Sequence, residues 1–83
     1  MAQVTLERRF DPPLTDTQLE EISGRLQPCL DRNGIRWIRS HFSRDRSRLI
    51  CFFEAPDAGA VRGALLQARL EYEDVWSGSV LEP

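Results

Sequence analysis

Few side chains in this sequence can do chemistry: one histidine, His41, and two cysteines, Cys29 and Cys51. His41 lies in the run Trp37-Ile38-Arg39-Ser40-His41-Phe42, and Cys51 in Leu49-Ile50-Cys51-Phe52-Phe53. Both runs read as strands, in which alternate residues share a face. An imidazole and a thiolate, joined by the Glu7 carboxylate from an earlier strand, make a nitrogen, sulfur and oxygen donor set of the kind divalent transition metals take. His41, Glu7 and Cys51 are therefore the candidate metal ligands. The same groups could serve acid–base chemistry, with Glu7 or His41 as base and Arg39 steadying a developing anion. No complete catalytic motif accompanies them.

These side chains depend on the elements that carry them. Val4, Leu6 and Phe10 alternate with Thr5, Glu7 and Arg9, the period of a half-buried strand. Arg8 falls in the apolar series and is expected at an edge or snorkelling. Thr15 and Gln18 form a capping box, with Leu14 and Leu19 placed as a hydrophobic staple. Leu19, Ile22, Leu26, Cys29 and Leu30 then mark one apolar helix face, and Asn33-Gly34 supplies a left-handed stop. Pro28 predicts a kink or a tightened last turn. Two strands at 35–42 and 48–54 follow, joined by Ser43-Arg44-Asp45-Arg46-Ser47 as a hairpin. A second helix opens at Pro56 with Asp57 and Glu54 near its positive end, and buries Val61, Leu65 and Ala68. A last strand covers 74–81, with Val75, Trp76, Val80 and Leu81 as its apolar content.

The order βαββαβ predicts one ferredoxin-like α+β domain over residues 1–83, a four-stranded antiparallel sheet with both helices on one face. Pairing the hairpin strands symmetrically about their turn places Ile38, Ser40, Phe42, Ile50 and Phe52 under the helices. Trp37, Arg39, His41, Leu49, Cys51 and Phe53 then share the open face with Thr5, Glu7 and Arg9. A Cys29–Cys51 disulfide is not expected on this reading, because the two would lie on opposite sides of the sheet.

A chain of 83 residues buries only about 60 to 65% of its unfolded surface, and a dimer relieves that shortage. An open face carrying Trp37, Leu49 and Phe53 is too apolar to leave wet, so a homodimer of the dimeric α+β barrel type is expected. No apolar run is long enough for a membrane span and the N-terminus lacks the apolar core of a signal peptide, which predicts a cytoplasmic protein. All eleven cationic residues are arginine, and the net charge is −2. That charge, and the absence of a glycine-containing aromatic motif in the third strand, argue against nucleic acid as a partner.

The segments Glu7-Arg8-Arg9-Phe10, Pro13-Leu14-Thr15-Asp16-Thr17-Gln18-Leu19 and 34–62 resemble a family of small bacterial proteins of unknown function, in part described as nickel-binding. The Trp37 to Ser40 spacing and Cys51-Phe52-Phe53-Glu54-Ala55-Pro56-Asp57 are the most specific parts, and the likeness covers nearly the whole chain. Glu7, Trp37, Ser40, Cys51, Glu54, Pro56 and Asp57 stand where that family commonly shows the same types. At Arg39 many of its members have histidine, and at His41 many have tyrosine. The resemblance implies a ferredoxin-like fold, assembly into dimers and, for some members, binding of a divalent metal such as nickel.

Three functions follow as expectations. In the first, a homodimer binds a nickel-like divalent metal or a small ligand on the open face through Glu7, Trp37, Arg39, His41, Cys51 and Phe53. In the second, two open faces enclose a substrate for an enzyme that needs no cofactor, with Trp37, Leu49 and Phe53 lining the pocket. In the third, the face is a dimer interface without chemistry, His41 is a hydrogen-bonded sheet residue and Cys51 a small core hydrophobe.

Overall fold

Helix α1 (Asp16–Arg32) begins where the sequence carries its strongest local signal. The Thr15 hydroxyl accepts from the Gln18 N–H at 3.1 Å, and Gln18 Oε1 accepts from the Thr15 N–H at 2.9 Å. The capping box thus satisfies two donors that the first turn leaves free. The helix runs through Pro28 to Arg32 and stops at Gly34, whose φ of 66° is the left-handed conformation that glycine adopts without strain.

The computed structural model describes all 83 residues. Around α1 the chain forms strands β1 (Ala2–Arg9), β2 (Arg36–Phe42), β3 (Arg48–Ala55) and β4 (Asp74–Gly78), with helix α2 (Ala58–Gln67) between the last two. The strands make one antiparallel sheet in the order β2-β3-β1-β4. This is the ferredoxin-like α+β fold expected from the pattern. Asp57 caps α2 by accepting from the Ala60 N–H at 2.8 Å. At the other end of α2, Arg25 of α1 donates to the Ala68 and Arg69 carbonyls at 2.7 and 2.9 Å, so a cation closes the negative end of the neighbouring helix. No helix is long and apolar enough to cross a membrane.

The core lies between the helices and one face of the sheet. Leu26, Cys29 and Leu30 of α1 and Val61, Ala64 and Leu65 of α2 pack with Val4, Leu6, Leu49, Cys51, Phe53 and Val75. Two features here overturn the symmetric-hairpin expectation. The turn after β2 is closed by the Arg46 N–H donating to the Ser43 carbonyl, with Arg46 itself left-handed at φ 64°. The register is thereby offset by one residue, pairing Phe42 with Leu49 and His41 with Ile50, and a one-residue shift turns every side chain of a strand to the other face. Leu49, Cys51 and Phe53 therefore lie under the helices, and Ile50 and Phe52 on the open side. The second feature is a β-bulge between Trp37 and Arg39. The extra residue puts Trp37 on the helix side, although Arg39 and His41 keep the open-face positions predicted for them.

The hairpin tip also holds the β1–α1 connection. The Phe10 and Leu14 amides donate to the Ser47 and Arg46 carbonyls at 2.8 and 3.0 Å. Arg46 Nε donates to the Leu14 carbonyl at 2.8 Å, its guanidinium pairs with Asp16, and it covers the Phe42 ring. Inside the turn, the Asp45 carboxylate accepts from the Ser47 and Ser43 hydroxyls and the Ser47 amide, which together pull its pKa down to about 2. Arg8, the exception in the apolar series, lies near the end of the central strand β1 and snorkels, its Nε donating to the Glu71 carbonyl at 2.7 Å.

Candidate functional site

Strand pairing sorts the open face into rows that run across the sheet. Asp74, Glu7, Ile50 and His41 form one row, and Trp76, Thr5, Phe52 and Arg39 the next. The two rows hold an imidazole, two carboxylates, a guanidinium and two aromatic rings. The Trp76 indole Nε1–H donates to Glu7 Oε2 at 3.1 Å, linking the rows at the β1–β4 side. On the β2–β3 side, Arg39 lies 5.1 Å over the Phe52 ring and His41 meets that ring edge-on at 5.8 Å.

Of the six ligand-binding candidates, the structure brings Glu7, Arg39 and His41 to one surface and separates Trp37, Cys51 and Phe53 from them. Trp37 packs against the buried Phe53 on the helix side, the two rings tilted by 45° with 5.9 Å between their centres. The apolar pocket of the enzyme reading, built on Trp37, Leu49 and Phe53, is thus not on the open face. Cys51 is buried beside them. Its sulfur accepts from the Ser40 hydroxyl at 2.7 Å, and Ser40 Oγ accepts in turn from the Trp37 Nε1–H at 2.8 Å. Burial pushes the Cys51 thiol up to about 11, outweighing the Ser40 hydrogen bond and the Arg8 charge, which act the other way. Cys51 lies on the helix side of the sheet, opposite Glu7 and His41, so the structure does not bring the third member of the expected ligand set to the open face.

Glu7 and His41 share a row but stand two strands apart, with Ile50 between them. At about 4.8 Å per strand their backbones are roughly 10 Å apart. No three His, Cys, Asp or Glu side chains of the chain gather closely enough to hold a metal ion. The two cysteines are unpaired, but the argument against a disulfide is overturned: both belong to the same core rather than lying on opposite sides of the sheet.

Four open-face residues were not singled out from the sequence as site residues. Asp74 and Trp76 arrive through β4, whose short apolar pattern conceals which side it presents. Thr5 and Phe52 oppose one another on β1 and β3. A signal for the bulge was present in the Trp37 to Ser40 spacing. Residues three apart in a regular strand face opposite ways, whereas these two hydrogen-bond to each other.

A four-stranded antiparallel sheet covered by two helices on one side, with a charged and aromatic face on the other, defines a ferredoxin-like α+β protein. The chain belongs to the SCO4226-like family of nickel responsive proteins, whose model matches residues 6–77. Its fold is that of SCO4226 from Streptomyces coelicolor A3(2), whose crystal structure superposes with a TM-score of 0.84 over 98% of this chain and 100% of that one, at 15% sequence identity. No curated protein matches the chain. Against nickel, the donors of a single chain do not fit: the imidazole and the carboxylates are spread along a row and the thiol lies on the far side of the sheet.

Proposed function

We propose that the protein is a homodimeric nickel-responsive protein whose two chains pair through their open faces and hold the metal between them. The observation that supports this reading is the order of the row Asp74, Glu7, Ile50, His41, acidic at one end and imidazole at the other. A twofold axis parallel to the strands, passing between β1 and β3, exchanges the two ends. His41 of each chain then faces the partner subunit's Asp74, and Ile50 faces the partner subunit's Glu7. Stacked sheets lie about 10 Å apart with their side chains interdigitating, so groups that cannot meet within one chain can meet across the gap. Imidazole nitrogen and carboxylate oxygen are donors that nickel accepts, with water completing its shell.

The apolar content of the face supports a second copy as its cover. Ile38, Phe52 and Trp76 are partly exposed there, with Trp76 at 46%. The face is also self-complementary in charge, because β2 carries Arg36, Arg39 and His41 and the opposite side carries Glu7 and Asp74.

Calorimetric titration with nickel, zinc and copper, run on the wild-type chain and on His41→Ala, Asp74→Asn and Cys51→Ala, tests the reading. Saturable nickel binding at two sites per dimer is expected, lost in His41→Ala, weakened in Asp74→Asn and retained in a folded Cys51→Ala. Binding that survives His41→Ala and disappears in Cys51→Ala would place the metal elsewhere.

A further inference from the structure

We infer that segment 79–82 completes a strand across the dimer, laid along the outer edge of the partner subunit's β2. The inference rests on the pairing of open faces proposed above and adds to it an edge that each chain covers for the other.

The segment has the pattern of a strand and no neighbour to pair with. Val75, Trp76, Val80 and Leu81 read in sequence as one strand over 74–81, yet β4 ends at Gly78. Its one neighbour in the sheet is β1, whose Gln3 pairs with Gly78 and which itself begins at Ala2. Beyond that row β1 gives the segment almost no backbone to pair with. Val80 and Leu81 are left 68% and 94% exposed, so their own chain does not bury them. Covering two such aliphatic side chains is a favourable step that one chain alone leaves undone.

The two edges of the sheet are not equivalent. At β4, Arg62 of α2 reaches over and donates to the Val75 carbonyl at 2.6 Å, so a side chain already occupies that edge. At β2 the backbone pairs with β3 on one side, and no turn or side chain bonds to its outer row. An unpaired row of N–H and C=O groups is a template for a further strand. The bulge and the arginines of β2 make this edge a selective one, since they disfavour a long, flat, uncharged strand. A short segment that carries Glu82 and no cation is complementary to Arg36 and Arg39.

Topology brings the two together. β1 is antiparallel to both β3 and β4, and β2 is antiparallel to β3, so β4 runs opposite to β2. A twofold axis parallel to the strands keeps their directions and sets β4 of each chain beside the partner subunit's β2, in the antiparallel sense. Gly78, Gln3, Glu54 and Arg36 share one row, so the segment leaves β4 at the level of the partner subunit's Arg36. Ser79 and Val80 line the open side of the sheet together with Ile38 and Phe52, so the segment turns toward the second copy and away from the helices. Val80 and Leu81 then pack on the partner subunit's Ile38, which is 36% exposed in the single chain. Glu82 faces the partner subunit's Arg36.

The test compares the wild-type chain with a variant carrying both Val80→Asp and Leu81→Asp, which keeps the fold because neither side chain packs within its own chain. Sedimentation gives the dimer dissociation constant, and amide hydrogen exchange reads the edge of β2. Mixed dimers of isotopically labelled and unlabelled wild-type chains show which methyl contacts cross between chains. The wild type should dimerise, with contacts from Val80 or Leu81 to the partner subunit's Ile38. The variant should dimerise about tenfold or more weakly, with faster exchange along β2. A variant that dimerises as tightly as the wild type with β2 exchange unchanged would overturn the shared strand and leave the open-face pairing standing. Contacts of Val80 and Leu81 confined to their own chain would do the same. A single-chain mass for the wild type would overturn both.

Discussion

Trp37 and Ser40, three residues apart in one strand, point to the same side of the sheet and are joined by a 2.8 Å hydrogen bond from the indole Nε1–H to the hydroxyl. The bulge in β2 makes this possible, and Ser40 extends the chain of bonds to the Cys51 sulfur. Ser40→Ala would leave the indole N–H unpaired and the thiol without its donor. The expected cost is about 1 kcal/mol, read as a lower urea midpoint with an unchanged slope.

Neighbouring phenylalanines should respond in opposite ways. Phe53 is fully buried and packs on Trp37, whereas Phe52 lies on the open face under Arg39 and His41. Phe53→Ala should destabilise the fold by about 3 to 5 kcal/mol. Phe52→Ala should cost the folded chain far less and act on association of the open faces instead. Chemical denaturation and sedimentation of both variants separate the two effects.

Cys51 makes stability depend on alkaline pH. Its thiol ionises near about 11 in the folded chain and near the ordinary value of 9.0 when unfolded. Below pH 9 both states hold the proton and the favourable contribution is fully present. Between about 9 and 11 only the folded state holds it, so stability falls as pH rises, by about 2 to 3 kcal/mol in all. In Cys51→Ala this part of the decline should be absent, measured as the difference between wild-type and variant denaturation midpoints across that range.

Arg46 occupies a left-handed conformation at φ 64° and also holds Leu14, Asp16 and Phe42. Arg46→Gly loses the contacts but relieves the backbone, while Arg46→Ala loses the contacts and keeps the strain. Glycine should therefore be the more stable variant by about 1 kcal/mol, by thermal or urea unfolding.

Much of the fold was legible because local signals agreed with one another. The capping box at Thr15, the stop at Gly34 and the apolar spacing of both helices lie where their chemistry predicts, whereas α2 begins at Ala58 with Asp57 as its cap rather than at Pro56. The faces of β2 and β3 were only partly legible. Two consecutive apolar residues, Phe52 and Phe53, allow either parity, and the choice rests on the turn register. That register is set by a left-handed arginine, a residue type that gives no turn signal in the way glycine or asparagine does. Arg39 and His41 were still assigned to the open face because the bulge and the register offset act on opposite ends of the hairpin. Trp37 lies beyond the bulge and went to the core. The site lost Cys51 by the same slip and gained Phe52.

The proposed dimer requires two open faces to meet about a twofold axis. Sedimentation equilibrium at tens of micromolar protein, on the wild-type chain and on Phe52→Asp, with and without nickel, tests that most directly. The wild-type chain should sediment at twice its 9.6 kDa mass, more firmly with nickel present, and Phe52→Asp should sediment as a folded single chain. A single-chain mass for the wild type with nickel bound, or a dimer that Phe52→Asp leaves intact, would contradict it.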